Sequence, residues 1–200
     1  AIVTTLVCLL IAYPVAYILA HSQIKRKAVI LLLFVMPMWI NFTLRITALK
    51  EILSLIEGNL AFYPFLNTVI GMTYDFLPFM ILPLFSIMTK IDRHVIEAAQ
   101  DLGCSMPVVI RKVVVPLSFP GIATGITMTF VPCVSTFIIS RLLGGSDCYL
   151  IGDLIEEQFK LKGTGFHVGS ATSLVLMIVV LISMGILNQF DSDEMEDSIK

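Results

Sequence analysis

The amino-acid sequence predicts an all-α protein, a polytopic transmembrane helical bundle with five spans in this chain. Three observations predict it. The 200-residue chain is 57% hydrophobic and only 14% charged, with mean hydropathy +0.93, and a soluble domain of that size needs far more charge on its surface. Its apolar residues gather in five long runs, and roughly 20 such residues cross about 30 Å of hydrocarbon. Between the third and fourth runs lies a short, soluble-looking amphipathic segment, Glu97-Ala98-Ala99-Gln100-Asp101-Leu102-Gly103.

The first run, residues 2–20, starts at once after Ala1, with no basic flank and more length than a signal-peptide core. A chain that opens on Ala inside a span is expected to be a fragment or a processed form. A short basic turn, residues 21–27, follows. The second run is 28–46, and 47–59 is an outside segment in which Ile52, Leu55 and Ile56 share a face before Gly58-Asn59 ends it. The third run, 61–88, and the fourth, 113–140, exceed the thickness of a bilayer, so they tilt, bend or project beyond it. Segment 141–167 carries a Gly144-Gly145-Ser146 turn, a helical stretch at 150–159 and the breakers Gly163 and Gly165. The fifth run, 168–190, leads into an acidic tail, 191–200. No tandem repeat is visible, and one membrane domain is expected over residues 1–200.

Placing the 21–27 turn in the cytoplasm puts Lys25, Arg26, Lys27, Lys90, Arg93, Arg111, Lys112 and Lys200 inside. Arg45, Lys50, Arg141, Lys160 and Lys162 then lie outside, a modest positive-inside bias. Net charge is −2 and adds little. Prolines 14, 37, 64, 78, 83, 116, 120 and 132 lie in or near the runs. Each removes a backbone donor, which lipid tolerates only where protein or a wet cavity re-satisfies the freed group, so they either shape a pathway or tune packing. Gly121-x-x-x-Gly125 allows close helix approach. Cys8 and Cys133 read as small packing residues, and no disulfide is expected.

Segment 89–112 is the informative loop. Asp92 suits an N-cap and Gly103 a C′ residue, so 92–102 is a helix of about three turns ending in a sharp corner. Ser105 caps the next helix, with Pro107 in its first turn. Val95, Ala98, Ala99 and Leu102 form one apolar stripe with a shallow notch at the alanines. Arg93, Glu97, Gln100 and Asp101 form much of the polar side. That shape suits docking into a groove on another protein; an interfacial helix on lipid headgroups is the alternative.

Asp75, beside Tyr74 and Phe76, lies inside the third run, where an acid costs about 2.5–3.5 kcal/mol on insertion scales. It is either a substrate-path residue, its aromatic neighbours offering faces to a cation, or an acid about 8 Å deep near the outer interface. Asn41 and Arg45 lie one turn apart on the second run. Arg45 either snorkels to the interface or pairs with an acid across the pathway. Asp153, Glu156 and Glu157 form an acidic outside patch, either a contact for a binding protein or a solvated face. The three histidines have no partner at ligand spacing, so no metal site is expected, and no catalytic constellation is visible. The sequence contains no G-x-x-x-x-G-K-[ST], so ATP is not expected to bind this chain. A membrane-embedded enzyme needs polar groups gathered at one depth, whereas these are scattered; a non-transporting scaffold is a further alternative.

The spacing Glu97-Ala98-Ala99, Gly103, Val113 and Val115-Pro116 resembles the EAA signature of ABC importer permeases, with valines at the usual Ile and Leu positions. Pro37-Met38-Trp39-Ile40-Asn41, Leu44-Arg45-Ile46, Leu77-Pro78-Phe79-Met80, Gly144-Gly145, Leu150-Ile151-Gly152-Asp153 and Gly169-Ser170-Ala171-Thr172-Ser173 resemble the spermidine/putrescine permeases. The resemblance implies a type I importer permease, usually of six spans, in a bacterial inner membrane. It implies a cytoplasmic ATPase dimer carrying ATP and Mg, a second permease subunit and an extracellular or periplasmic solute-binding protein; lipid surrounds the chain, and no nucleic acid is expected. Residues 92–103 become a coupling helix, with Glu97, Ala98, Ala99, Asp101 and Gly103 its contact residues. The cargo implied is a polyamine, with an iron complex, sulfate or an amino-acid-like compound as alternatives.

Overall fold

The structure, a computed structural model, describes residues 1–22, 26–145, 148–161 and 165–197. Lys25, Ser146, Lys162, Gly163 and residues 198–200 of the acidic tail lie outside the described residues. The described elements are helical. Helix α1 (Ile2–His21) crosses first, and α2 (Lys27–Val35) continues through a tight turn at Met36–Trp39. Helix α3 (Phe42–Glu57), α4 (Pro64–Met88) and the short α5 (Arg93–Asp101) follow. Helices α6 (Met106–Val109) and α7 (Val115–Leu117) flank a π-helical stretch at Ile110–Val114. Then come α8 (Phe119–Ser135), α9 (Ile151–Lys160) and α10 (Gly165–Asp197).

Among the described residues three helices are long and apolar enough to span: α1, α4 and the Gly165–Gly185 part of α10. The second and fourth expected spans are not single helices. The second is bent by 99° between Trp39 and Phe42, the fourth by 68° between Leu117 and Phe119, and counting each bent pair as one span brings the total to five. Both breaks have local causes. Pro37 sits in the tight turn, Ile40 is extended, and the Asn41 carboxamide oxygen accepts from the Thr43 amide at 3.0 Å and Leu44 at 3.4 Å, which starts a new helix. At the other break, Pro116 and Pro120 flank Ser118. Ser118 is fully buried and its hydroxyl lies 3.1 Å from that of Tyr13, so the polar groups of the break find a partner on α1. The expected outside segment 47–59 is mostly the second half of α3, ended by Gly58 at φ +71°. The expected tail is not separate either: α10 runs on through the acidic residues to Asp197.

Helices α1 and α4 run parallel. Near one end Thr4 lies 3.7 Å from Met72 Sδ; at the other, α1 residues Tyr17 and His21 line a groove with α5. Their contact rests on Cys8, Ala12, Ala16 and Ala20, spaced by four and packed into one core with Met80, Ile81, Leu84 and Met88. Small residues at that spacing let two backbones approach. Helix α8 lies antiparallel on α4 through Gly121 and Gly125. A Cβ at Gly125 would stand 2.7 Å from Met80 Sδ, and one at Gly121 3.1 Å from Ile87 Cβ. A second core joins Ile46 and Leu53 of α3 to Met72, Phe76, Cys133, Ile139 and Leu143. Helix α10 packs mainly on α9 and leaves Leu174, Val175, Ile178, Leu181 and Ile182 exposed.

Candidate functional site

Helix α5 is made by its ends. The Asp92 carboxylate accepts from the His94 amide at 3.0 Å. At the other end the Gly103 amide donates to Gln100 O (2.8 Å) and the Cys104 amide to Ala99 O (3.2 Å), a Schellman closure with Gly103 at φ +84°. Nothing lies within 4 Å of a Cβ built on Gly103, so its glycine answers to backbone conformation alone.

The apolar face of α5 divides in two. Ile96 is buried against Val109 and Val114, with Ala99, Tyr17, Ile91 and Val113 packed around them. This anchor ties α5 to α6, the π stretch and the end of α1. Val95, Ala98 and Leu102 remain exposed, Leu102 by 86%. The single stripe read from sequence therefore needs correction: Ala99 turns inward with Ile96, and the outward stripe is Val95, Ala98 and Leu102. Ile96 was missed because counting began at Val95; the pair Ile96 and Ala99, three apart, was the available signal. Glu97 and Asp101 are exposed beside the outward stripe. Glu97 receives Arg93 Nε at 2.9 Å, and His94 Nδ1 lies 3.5 Å away.

The second cluster lies between α3 and α4. Arg45 forms an ion pair with Asp75, their side chains 8% and 4% exposed. The guanidinium carbon stands 5.8 Å from the centroid of Tyr74. Arg45 thus pairs with an acid and does not snorkel, and Asp75 lies about 16 Å along α4 from its first residue, Pro64. Tyr74 is half exposed and turns one face to Arg45. Asn41 is at the surface, its carboxamide oxygen committed to the cap of α3. Lower on the same helix pair, Asn67 Nδ2 donates to Glu57 at 2.9 Å.

The third cluster holds α9. Asp153 is buried, not part of a surface patch as its composition suggested: it accepts from Ser140 Oγ at 2.5 Å and from the Leu150 amide at 3.0 Å. At the third position of α9 it satisfies a free amide of the first turn and locks the helix to the preceding π-helical stretch, Ser140–Gly144. A Cβ on Gly152 would meet the Thr136 carbonyl at 2.5 Å, so α9 and the end of α8 touch backbone to backbone. Glu156 bridges Arg141 (2.5 Å) and Lys160 (2.8 Å). The Lys160 hydrogen bond, with help from Arg141 and against partial desolvation, holds its carboxyl below the usual range. Glu157 is exposed, and its hydrogen bond to Tyr149 raises the phenol pKa. Among the described residues no group of three His, Cys, Asp or Glu is placed to hold a metal ion.

A family model described as "binding-protein-dependent transport system inner membrane component" matches residues 9–190, a span that contains all three clusters. The chain belongs to that family. As an inner membrane component of a transport system it is a multi-pass membrane protein, in keeping with its apolar helices. Among similar proteins is the spermidine/putrescine transport system permease protein PotB of Escherichia coli (strain K12), 36% identical across 90% of this chain and 70% of the relative. The protein of the same name from Haemophilus influenzae is 35% identical across 90% of this chain and 68% of its own length. A PotB homolog from Mycoplasma genitalium is 33% identical across 72% of this chain and 54% of the relative.

Proposed function

We propose that this chain is the permease subunit through which an ATP-driven importer passes spermidine and putrescine. The observation that carries the reading is the 36% identity to a permease named for those substrates, sustained across 90% of this chain. Residues 1–200 serve as one membrane domain, and residues 92–103 are its coupling helix. A cytoplasmic ATPase dimer holds ATP and Mg²⁺ and grips α5 on Val95, Ala98 and Leu102, with Glu97 and Asp101 flanking them and Gly103 setting the exit angle. Ala99 supports the grip from the inner side. A second permease subunit completes the pathway, and a solute-binding protein delivers cargo near α9, where Glu157 and the Glu156 bridge face out.

The free energy of such a machine lies in the difference between how the ATPase binds the two orientations of the permease. A lever that transmits this difference needs one rigid attachment inside its own chain and one free face. Helix α5 has both: Ile96 inside, and Val95, Ala98 and Leu102 outside. The test is uptake of labelled spermidine and putrescine by the assembled complex in liposomes. Saturable, ATP-dependent uptake of either is expected; failure of both to enter or to compete refutes the cargo.

A further inference from the structure

We infer that the Asp75 carboxylate and the Tyr74 ring form a site for a substrate ammonium group, which Arg45 fills as a built-in surrogate cation until substrate displaces it. The inference rests on the polyamine reading above. Asp75 is almost fully buried well inside a spanning helix, where an uncompensated carboxylate is costly. Exchanging one cation for another never exposes that state. The Tyr74 face already holds a cation at 5.8 Å, a distance at which any organic cation is attracted.

The resident guanidinium fits the site incompletely. Arg45 Nε is buried without an acceptor, although a guanidinium is at its best when its planar fork is met in full. An ammonium is a compact charge with three donors and makes no such demand. Pro78, one turn on, has no N–H to give to the Tyr74 carbonyl. Tyr74 is 42% exposed beside a carboxylate that is almost fully covered, so one side of the ring is left for a second cation to approach. Finally, Arg45 is carried by α3, a helix separate from α4 that starts at the Asn41 cap and stops at Gly58. The surrogate can leave while α4 keeps Asp75 and Tyr74 together.

The experiment uses the assembled importer in liposomes and compares spermidine uptake by wild type, Arg45→Gln, Arg45→Gln/Asp75→Asn and Tyr74→Leu. Removing the competitor in Arg45→Gln lowers KM. The double variant leaves no orphan ion, so it co-purifies with its partners, and its KM rises roughly tenfold or more, the loss expected for a charge-assisted contact. Tyr74→Leu, at a half-exposed position, raises KM about threefold or more. A wild-type KM in the double variant makes the ion pair a structural clasp and overturns the inference. If the double variant does not assemble, Tyr74→Leu decides, and an unchanged KM there overturns it. A wild-type complex that imports neither polyamine defeats the cargo reading and this site together; polyamine uptake with wild-type KM in the variants defeats the site alone.

Discussion

Replacing Ile96 by Ala tests whether α5 is a lever fixed at one side. Ile96 is 5% exposed and forms a three-residue core with Val109 and Val114. The change removes three carbons, about 2.4 kcal/mol of transfer free energy at 0.8 per methylene, and the unfilled space brings the cost into the 2–5 kcal/mol range. Helix α5 has only nine residues, too few to hold itself in place. A loss of about 2–4 kcal/mol therefore shifts the balance between docked and undocked α5 by roughly 30- to 1,000-fold. The outward stripe is untouched, so the ATPase subunit still associates. Amide exchange across residues 93–101 rises, and solute imported per ATP hydrolysed falls severalfold in proteoliposomes. Ala98→Trp is the mirror experiment: it leaves the Ile96 core intact, keeps exchange low and abolishes co-purification of the ATPase. Tight coupling in Ile96→Ala, or normal assembly in Ala98→Trp, would refute the two-faced reading of the helix.

Other expectations follow from the clamp on α9. Gly152→Ala places a methyl 2.5 Å from the Thr136 carbonyl, which is backbone and yields little; detergent-solubilised protein loses several degrees in Tm, whereas Gly103→Ala, with open space around it, costs only about 1–2 kcal/mol of left-handed backbone strain. Asp153→Ala leaves the Leu150 amide without its acceptor, while Ser140 keeps only the Phe137 carbonyl and loses its tie to α9; the α9 attachment is destabilised by about 1–3 kcal/mol, read as faster proteolysis or exchange in 151–160. Glu156 titrates lower in the folded protein than its ordinary 4.5. Its clamp is therefore fully present above that value and is lost as pH falls through the lower folded one, so exchange in α9 rises only in acid. The effect is at most about 1 kcal/mol for an ion pair near the surface, and Glu156→Gln removes the pH dependence.

Much of this molecule was legible in one dimension. Mean hydropathy and run length gave the all-helical membrane bundle, because lipid forces every backbone polar group to be satisfied within a helix. The caps of α5 were readable too: Asp92 and Gly103 act on amides a few residues away, and local hydrogen bonding needs no tertiary context. The breaks were half-legible. Proline 37, 116 and 120 marked them, but hydropathy averages over a window and cannot see that Asn41 and Ser118 split an apolar run into two helices.

Partnership was decided only in three dimensions. Asp153, Glu156 and Glu157 look alike on paper, yet Ser140 takes Asp153 inside while Glu157 stays in solvent. Arg45 and Asp75, thirty residues apart, became an ion pair because α3 folds back on α4 beyond a glycine with positive φ. Neighbouring Val95 and Ile96 went to opposite fates because the end of α1 and the π stretch cover only one side of α5. Sequence determines which residues can be helical and apolar, since those are properties of short segments. Which side chain meets which is a property of the packed whole, and only the fold sets it.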